Sequence, residues 1–253
     1  MSAVIFAGPS LPRSAVSDLA GLEWRPPVRQ GDVYLAALSG PAIIGIIDGY
    51  FEVVPTVWHK EILWAMAQGI HVYGGASIGA LRAAELADFG MKGVGDIYEQ
   101  YRSGGLTDDD EVAVMHGPEE IGYVQVTEAM VNVRATIDRA LQIGIVGHDI
   151  AVALVRIAKS LFYKERTYEA IIQNVTELGL APAELGRLMS WLTEGKVDQK
   201  RIDALKLLEA VMAQLAGGVI PMKVSYRFAH TFAWEEARQR IEAARERTVK
   251  PAS

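Results

Sequence analysis

The sequence predicts an α/β protein: a mostly parallel sheet core with flanking helices, followed by a predominantly helical C-terminal region. Three observations carry this reading. Short apolar runs at residues 3–7, 42–47 and 70–73 alternate with amphipathic segments of helical length, the pattern of βαβ units. The middle run, Ala-Ile-Ile-Gly-Ile-Ile, is apolar at every position, as a central strand covered on both faces requires. From Thr127 to Ala216 the periodicity is helical, interrupted at 144–147, 179–182 and Gly195. The expected division is an α/β core over residues 1–126 and a mainly helical part over 127–253, packed on the core or used for partner binding.

The elements follow in order. Residues 3–7 form a strand closed by Gly8-Pro9-Ser10. Ser10 reads as the N-cap of a helix with Pro12 in its first turn, where a missing N–H costs nothing, and Gly21 as its end. Arg25-Pro26-Pro27 is extended, because a residue before proline avoids the helical region. A short helix over 32–38 stops at Gly40-Pro41. The strand over 42–47 ends at Asp48-Gly49. Pro55 then opens a helix to Gln68, and Gly69 terminates it. A strand over 70–73 runs into Gly74-Gly75-Ala76-Ser77-Ile78-Gly79, and residues 80–86 are strong helix formers. Glycines punctuate 88–126, read as irregular with one helix near 97–101. Residues 232–246 form a charged helix with Glu and Arg at spacings of three and four, suited to solvent or to a partner.

Composition excludes several classes. Half the residues are apolar and 22% are charged, too apolar for a disordered chain. A net charge of −6 has the wrong sign for a general nucleic-acid binder. With no Cys, thiolate catalysis, disulfides and Cys-based zinc sites are excluded. The N-terminus lacks a basic n-region and reads as a strand, not a signal peptide. No run approaches the ~18 apolar residues of a membrane span. A cytoplasmic protein without a membrane or nucleic-acid partner is expected.

Gly75-Ala76-Ser77-Ile78-Gly79 matches G-x-S-x-G, with a strand before it and a helix after it. In that setting a serine is presented at the carboxyl end of the strand, and the first helical N–H groups, Ile78 among them, are donors for an oxyanion. The same turn could cradle a phosphate or carboxylate, or Ser77 could simply cap the helix. For a base, Lys60 shares a helix face with Val57, Trp64 and Ala67, where desolvation would lower its pKa. The competing reading has Lys60 reaching solvent or pairing with Glu61 or Glu85. A Ser–His–Asp arrangement is the rival, with an acid between Asp88 and Asp110 and His116, His148 or His230 as base. Asp48-Gly49 ends a central strand, where open α/β sheets bind ligands, and Asp48 could orient a lysine or an amide. The acidic run Asp108-Asp109-Asp110-Glu111 lacks EF-hand spacing and reads as a solvated loop or a docking surface for a basic partner. His59-Lys60-Glu61 is not a zincin motif. No metal or cofactor is expected.

Together these segments resemble a known family. Gly8-Pro-Ser-Leu-Pro12, Arg25-Pro-Pro-Val-Arg29, Ile46-Ile-Asp-Gly49, Trp58-His-Lys-Glu-Ile-Leu63 and Gly75-Ala-Ser-Ile-Gly-Ala-Leu-Arg-Ala-Ala-Glu85 are similar to TfuA proteins, as are Phe89-Gly-Met, Asp108-Asp-Asp-Glu-Val112 and Tyr123. The likeness runs over roughly residues 3–135 and does not extend through the helical region beyond Ala140. It implies a protein acting with a YcaO enzyme in peptide backbone thioamidation. It also implies a hydrolase-like site in which a Ser–Lys pair hydrolyses a thiocarboxylated ThiS-like sulfur carrier and passes sulfide on, the precursor peptide being a further partner. The matching positions are Ser77 and Lys60. Around them Ile78 and Gly49 would hold the oxyanion, Gly74, Gly75 and Gly8 would wall a narrow channel for the carrier tail, Asp48 would orient a lysine or an amide, and Arg82 would balance the tail's charge. The alternatives are a non-catalytic adaptor that improves YcaO's grip on its peptide, and a Ser–His esterase.

Overall fold

The computed structural model describes residues 1–16, 20–52 and 54–249. Five strands, β1 (Ala3–Phe6), β2 (Leu22–Arg25), β3 (Ile43–Ile46), β4 (His71–Gly75) and β5 (Lys92–Val94), form one sheet in the order β2-β1-β3-β4-β5. Every pairing is parallel. This is a doubly wound order. The chain leaves β1 to one side to make β2 and returns on the other for β3, so the strand order reverses between β1 and β3. The loops leaving their carboxyl ends diverge and open a crevice there.

The central strands are buried on both faces, which is why their sequences are apolar throughout. Val4, Phe6, Ile44, Ile46 and Val72 face α1 (Asp32–Leu38), α2 (His59–Ala67) and α3 (Ile78–Leu86). Ala3, Ile5 and Ile43 point the other way, onto Ala204, Leu207, Leu208 and Val211 of α9 (Gln199–Gly217). Between these layers in sequence, α4 (Asp96–Ser103) follows β5. Then α5 (Met130–Gln142), α6 (His148–Ser160), α7 (Tyr168–Glu177) and α8 (Pro182–Gly195) build a separate apolar cluster around Val133, Leu154, Ile171 and Leu188. Helix α9 leaves that cluster and packs on the sheet. Finally α10 (Phe232–Val249) lies back against α1 and α2. Trp234 is buried edge-on to Tyr34 and beside Trp64, and Tyr34 Oη donates to Glu242 at 2.5 Å.

Several expectations change. Of the helix expected from Ser10 to Gly21, residues 17–19 lie outside the described residues, and the rest holds a single 3₁₀ turn at Arg13–Ala15. Ser10 caps nothing, because its hydroxyl donates instead to Asp48, thirty-eight residues away. Leu22–Arg25 is an edge strand, and Lys92–Val94 is another inside the region read as irregular. Helix α2 begins at His59, not Pro55. The acidic run is exposed at Asp108 and Asp109, as a solvated loop would be, but it is also paired within the chain. Lys159 lies 3.0 Å from both Asp108 and Glu111 and also bonds Asp110. Arg134 chelates Glu111 at 2.9 and 3.0 Å, and buried Arg166 holds Asp110 at 2.7 Å. The run anchors the helices α5 and α6 to the core. Helix α10 is docked through the face that carries Trp234, Arg238 and Glu242, where the Arg238–Glu242 pair meets Tyr34, while the Arg240–Glu236 pair lies exposed on another face.

Candidate active site

The βα turn after β4 is built by close approach. A Cβ on Gly79 would lie 1.8 Å from the Ile46 carbonyl oxygen, and one on Gly74 2.1 Å from the Gly79 oxygen, so only glycine lets α3 start this near β3 and β4. The residue with positive φ is Ala76 (φ 65°), not the serine, whose φ is −122° and ψ −128°. A left-handed alanine is strained, and the strain turns the chain so that Ser77 stands at the N-terminus of α3. Its hydroxyl makes no capping bond to the helix, which removes the reading in which Ser77 is merely a cap.

Ser77 instead forms part of the wall of a cavity of about 560 Å³ at the carboxyl edge of the sheet. Asp48, Gly49, Ile78, His116 and Lys200 share that wall. The backbone donors are accounted for one by one. Gly79 N–H reaches Ile47 O at 3.4 Å, while Ala80 N–H and Leu81 N–H go to Ser77 O at 2.9 and 3.4 Å. Among the described residues, the N–H groups of Ile78 and Gly49 take no backbone partner, and both residues border the cavity. Gly49 is tight in its own right, since a Cβ there would lie 2.7 Å from Ile78 Cγ2 and 2.9 Å from Val28 O.

Asp48 is buried in the crevice between β1 and β3. It accepts from the N–H groups of Gly8 and Ser10 at 2.9 Å each and from the Ser10 hydroxyl at 2.6 Å. These three donors hold its charge in place. The nearest cation is Lys200, fully buried on α9, with Nζ 4.0 Å from Asp48 Oδ1 and donating to Val112 O at 2.8 Å. Burial pushes the Lys200 ammonium below the ordinary lysine value, against the pull of Asp48 and then Asp198. Further ionisable groups line this space, namely Tyr50, Asp109, Tyr163, His116, whose Nδ1 meets Gly117 O at 2.8 Å, and Lys164, paired with Glu52 at 2.9 Å.

Of the residues singled out from sequence, the cavity therefore gathers Ser77, Ile78, Gly49 and Asp48, together with His116 of the rival Ser–His–Asp arrangement. It does not include Lys60. The Lys60–Trp64 face of α2 is covered by the chain returning from α9, while Val57 precedes the helix and is buried in the core: Lys60 Nζ sits 4.8 Å from the centre of the Phe228 ring, and Phe228 and Trp64 both pack on Trp234. Its neighbours in the motif are also engaged. His59 meets Glu85 at 2.7 Å, and buried Glu61 accepts from Tyr34 N and Trp58 N at 3.3 Å each. Gly8 lies under the Pro27 ring and spends its N–H on Asp48, while Gly75 lies under Leu207 of α9. Arg82 opens on an adjoining hollow of about 510 Å³ that shares Tyr50, Phe51 and Ile78 with the cavity, and there it is paired with Glu85 at 2.6 Å. His148 and His230 stand elsewhere, the one at the start of α6 and the other against Glu235. Lys200 escaped the sequence reading. Its signal is there: Lys200, Ala204, Leu207 and Val211 recur at the spacing of one helix face, so a lysine occupies the buried stripe.

Fold and site together define a doubly wound α/β protein whose serine-bearing βα turn opens on the crevice at the carboxyl edge, an arrangement suited to acyl transfer or to anion binding. Within this class, residues 48–167 match the model of the family described as TfuA-like protein. The matched stretch begins at Asp48, includes Lys60, Ser77 and Arg82, and ends just before α7, so Lys200 lies outside it. This likeness is compatible with a role alongside a YcaO enzyme. No curated protein matches the chain. Among the described residues, no helix is long and apolar enough to cross a membrane.

Proposed function

We propose that this protein is a sulfide-releasing hydrolase that acts on the terminal thiocarboxylate of a ThiS-like carrier and supplies sulfide to a YcaO enzyme for thioamidation of a peptide backbone. The observation that carries the reading is Ser77 in the wall of the cavity, uncapped, with Ile78 and Gly49, whose N–H groups take no backbone partner among the described residues, in the same wall. The Ser77 oxygen attacks the thiocarboxylate carbon, and the two backbone donors stabilise the oxygen that becomes negative. The proton leaving Ser77 is the one the departing sulfur needs, so the first half-reaction yields an acyl-serine and hydrosulfide. Water then cleaves the ester, releasing the carrier as a carboxylate, one proton and free Ser77. A carrier tail of small residues suits a cavity walled by Gly49 and Ile78.

Hydrosulfide release from a purified thiocarboxylated carrier tests this. Ser77→Ala is expected to lower the rate at least 100-fold while keeping the wild-type circular dichroism spectrum. A variant that releases sulfide at the wild-type rate removes the catalytic reading. If the same variant also supports full thioamidation by the YcaO enzyme, an adaptor role takes its place.

A further inference from the structure

We infer that the outer face of the hairpin over residues 115–126 is the surface on which the body of the carrier protein seats while its tail occupies the cavity. The inference rests on the reading of Ser77 as nucleophile and adds to it the recognition of the partner. The hairpin has two faces. Its strands meet at an antiparallel bridge between His116 and Gln125, with Gly117 N donating to Val124 O and Val126 N to Met115 O, both at 2.8 Å. This register sets Met115 opposite Val126 and Gly117 opposite Val124. Because side chains alternate along an extended strand, those four positions share one face and His116 and Gln125 take the other. The inner face belongs to the site: His116 borders the cavity and packs edge-on to the buried Tyr123 ring, and Gln125 donates to Pro9 O at 3.2 Å.

The outer face is apolar and bare. Ile121, Val124 and Val126 are 58, 58 and 61% exposed, and Met115 is 40% exposed. Ile121 folds over the glycine of this face, since a Cβ on Gly117 would lie 2.4 Å from Ile121 Cδ1, so the four side chains form one patch. Single exposed apolar residues are ordinary, whereas a contiguous group beside a cavity marks a surface that meets another molecule. Met115 stands on this face and also borders the cavity, which makes the patch continuous with the opening that leads to Ser77. That continuity names the occupant. A tail threaded to Ser77 brings the rest of its own protein against the rim, and the hairpin offers that body apolar surface. The tip of the hairpin adds charge: Glu119 and Glu120 are exposed there, and exposed Asp109 lies on the cavity wall. The surface therefore fits a folded carrier with an apolar face beside the base of its tail, bordered by Lys or Arg. A second copy of this chain fits less well, because its net charge of −6 would meet an acidic rim.

Hydrosulfide release from two substrates tests the assignment: the purified thiocarboxylated carrier, and a short synthetic peptide with the same tail and the same terminal thiocarboxylate. With the wild-type protein the carrier is expected to exceed the peptide at least ~100-fold in kcat/KM, chiefly through KM. The double variant Val124→Asp/Val126→Asp is expected to raise KM for the carrier at least ~10-fold and to lower kcat/KM for the carrier far more than for the peptide. Glu119→Lys/Glu120→Lys moves the carrier the same way, by an amount that shrinks as salt is added. A wild type that takes the peptide as readily as the carrier overturns the proposal, and that measurement needs no variant to fold. A carrier-to-peptide ratio unchanged in Val124→Asp/Val126→Asp does the same. Self-association lost in that variant with the ratio unmoved gives the face to a second copy. Thioamidation lost with carrier hydrolysis intact gives it to the YcaO enzyme, and either result also overturns the proposal. Failure here differs from failure of the hydrolase reading. Release that depends on Ser77 yet ignores the hairpin sinks only the docking surface, and release that survives Ser77→Ala sinks the hydrolase.

Discussion

Glu61 lies in the motif that seemed catalytic, yet its environment makes it a stability element with a calculable pH signature. Its carboxylate is fully buried between α1 and α2, and the backbone N–H groups of Gly31, Tyr34 and Trp58 only partly offset the loss of water. Desolvation raises its pKa from 4.5 to about 7. The folded state therefore holds a proton that the unfolded chain has already lost. Its contribution is fully present below pH 4.5 and is lost as pH rises through 7, because the fold must then carry a buried charge. At 1.36 kcal/mol per pKa unit the whole effect is about 3 kcal/mol, of which about 2.5 kcal/mol falls between pH 5 and pH 8. Glu61→Gln removes the titration and keeps an acceptor for the α2 cap. Urea denaturation of both proteins at pH 5, 6.5 and 8, at one ionic strength, is expected to show the variant gaining about 2.5 kcal/mol on the wild type across the series. A difference that stays constant with pH, or one that shrinks as pH rises, refutes the reasoning, since either outcome means that the carboxylate stays ionised throughout.

Two further outcomes follow from packing. Gly79→Ala sets a methyl group 1.8 Å from the Ile46 oxygen of a central strand, so it is expected to cost more than about 4 kcal/mol or to prevent folding. A melting temperature within a few degrees of wild type would show that the turn can open beyond this 1.8 Å approach. Arg166→Met removes a buried guanidinium that donates to Ala158 O and Leu161 O and to both the carbonyl and carboxylate oxygens of Asp110. The expected loss is about 2–4 kcal/mol in chemical denaturation. Proteolysis at the acidic run should rise with it, because Lys159 and Arg134 alone would then hold α5 and α6 to the core, and unchanged stability and cleavage would contradict that anchoring role.

Much of the fold was legible because burial on both faces leaves a plain trace. The runs at β1 and β3 are apolar at every position, and the glycine-serine turn announces a strand ending and a helix beginning. The edge strands left weaker traces. Leu22–Arg25 is half exposed and mixes charge with apolar residues, and Lys92–Val94 has only three residues, one of them glycine. The candidate site divided along the same line. Ser77, Ile78, Gly49 and Asp48 follow apolar strands directly, so the sheet alone delivers them to one edge. Which side chain from another layer reaches that edge depends on the helix that covers it, and α9, which brings Lys200 to the cavity, arrives more than a hundred residues later.

What the amino-acid order determined by itself was local: where strands and helices form, which turn carries a serine, and which carboxylate ends a central strand. Contacts between distant segments decided the rest. The segment from Gly218 to α10 folds over α2 and engages Lys60 with an aromatic ring, while α9 buries Lys200 beside Asp48. Both lysines lie on helix faces with apolar neighbours, and periodicity alone does not distinguish them. The difference is set by desolvation and by the partner each one meets, and these exist only once the layers have packed.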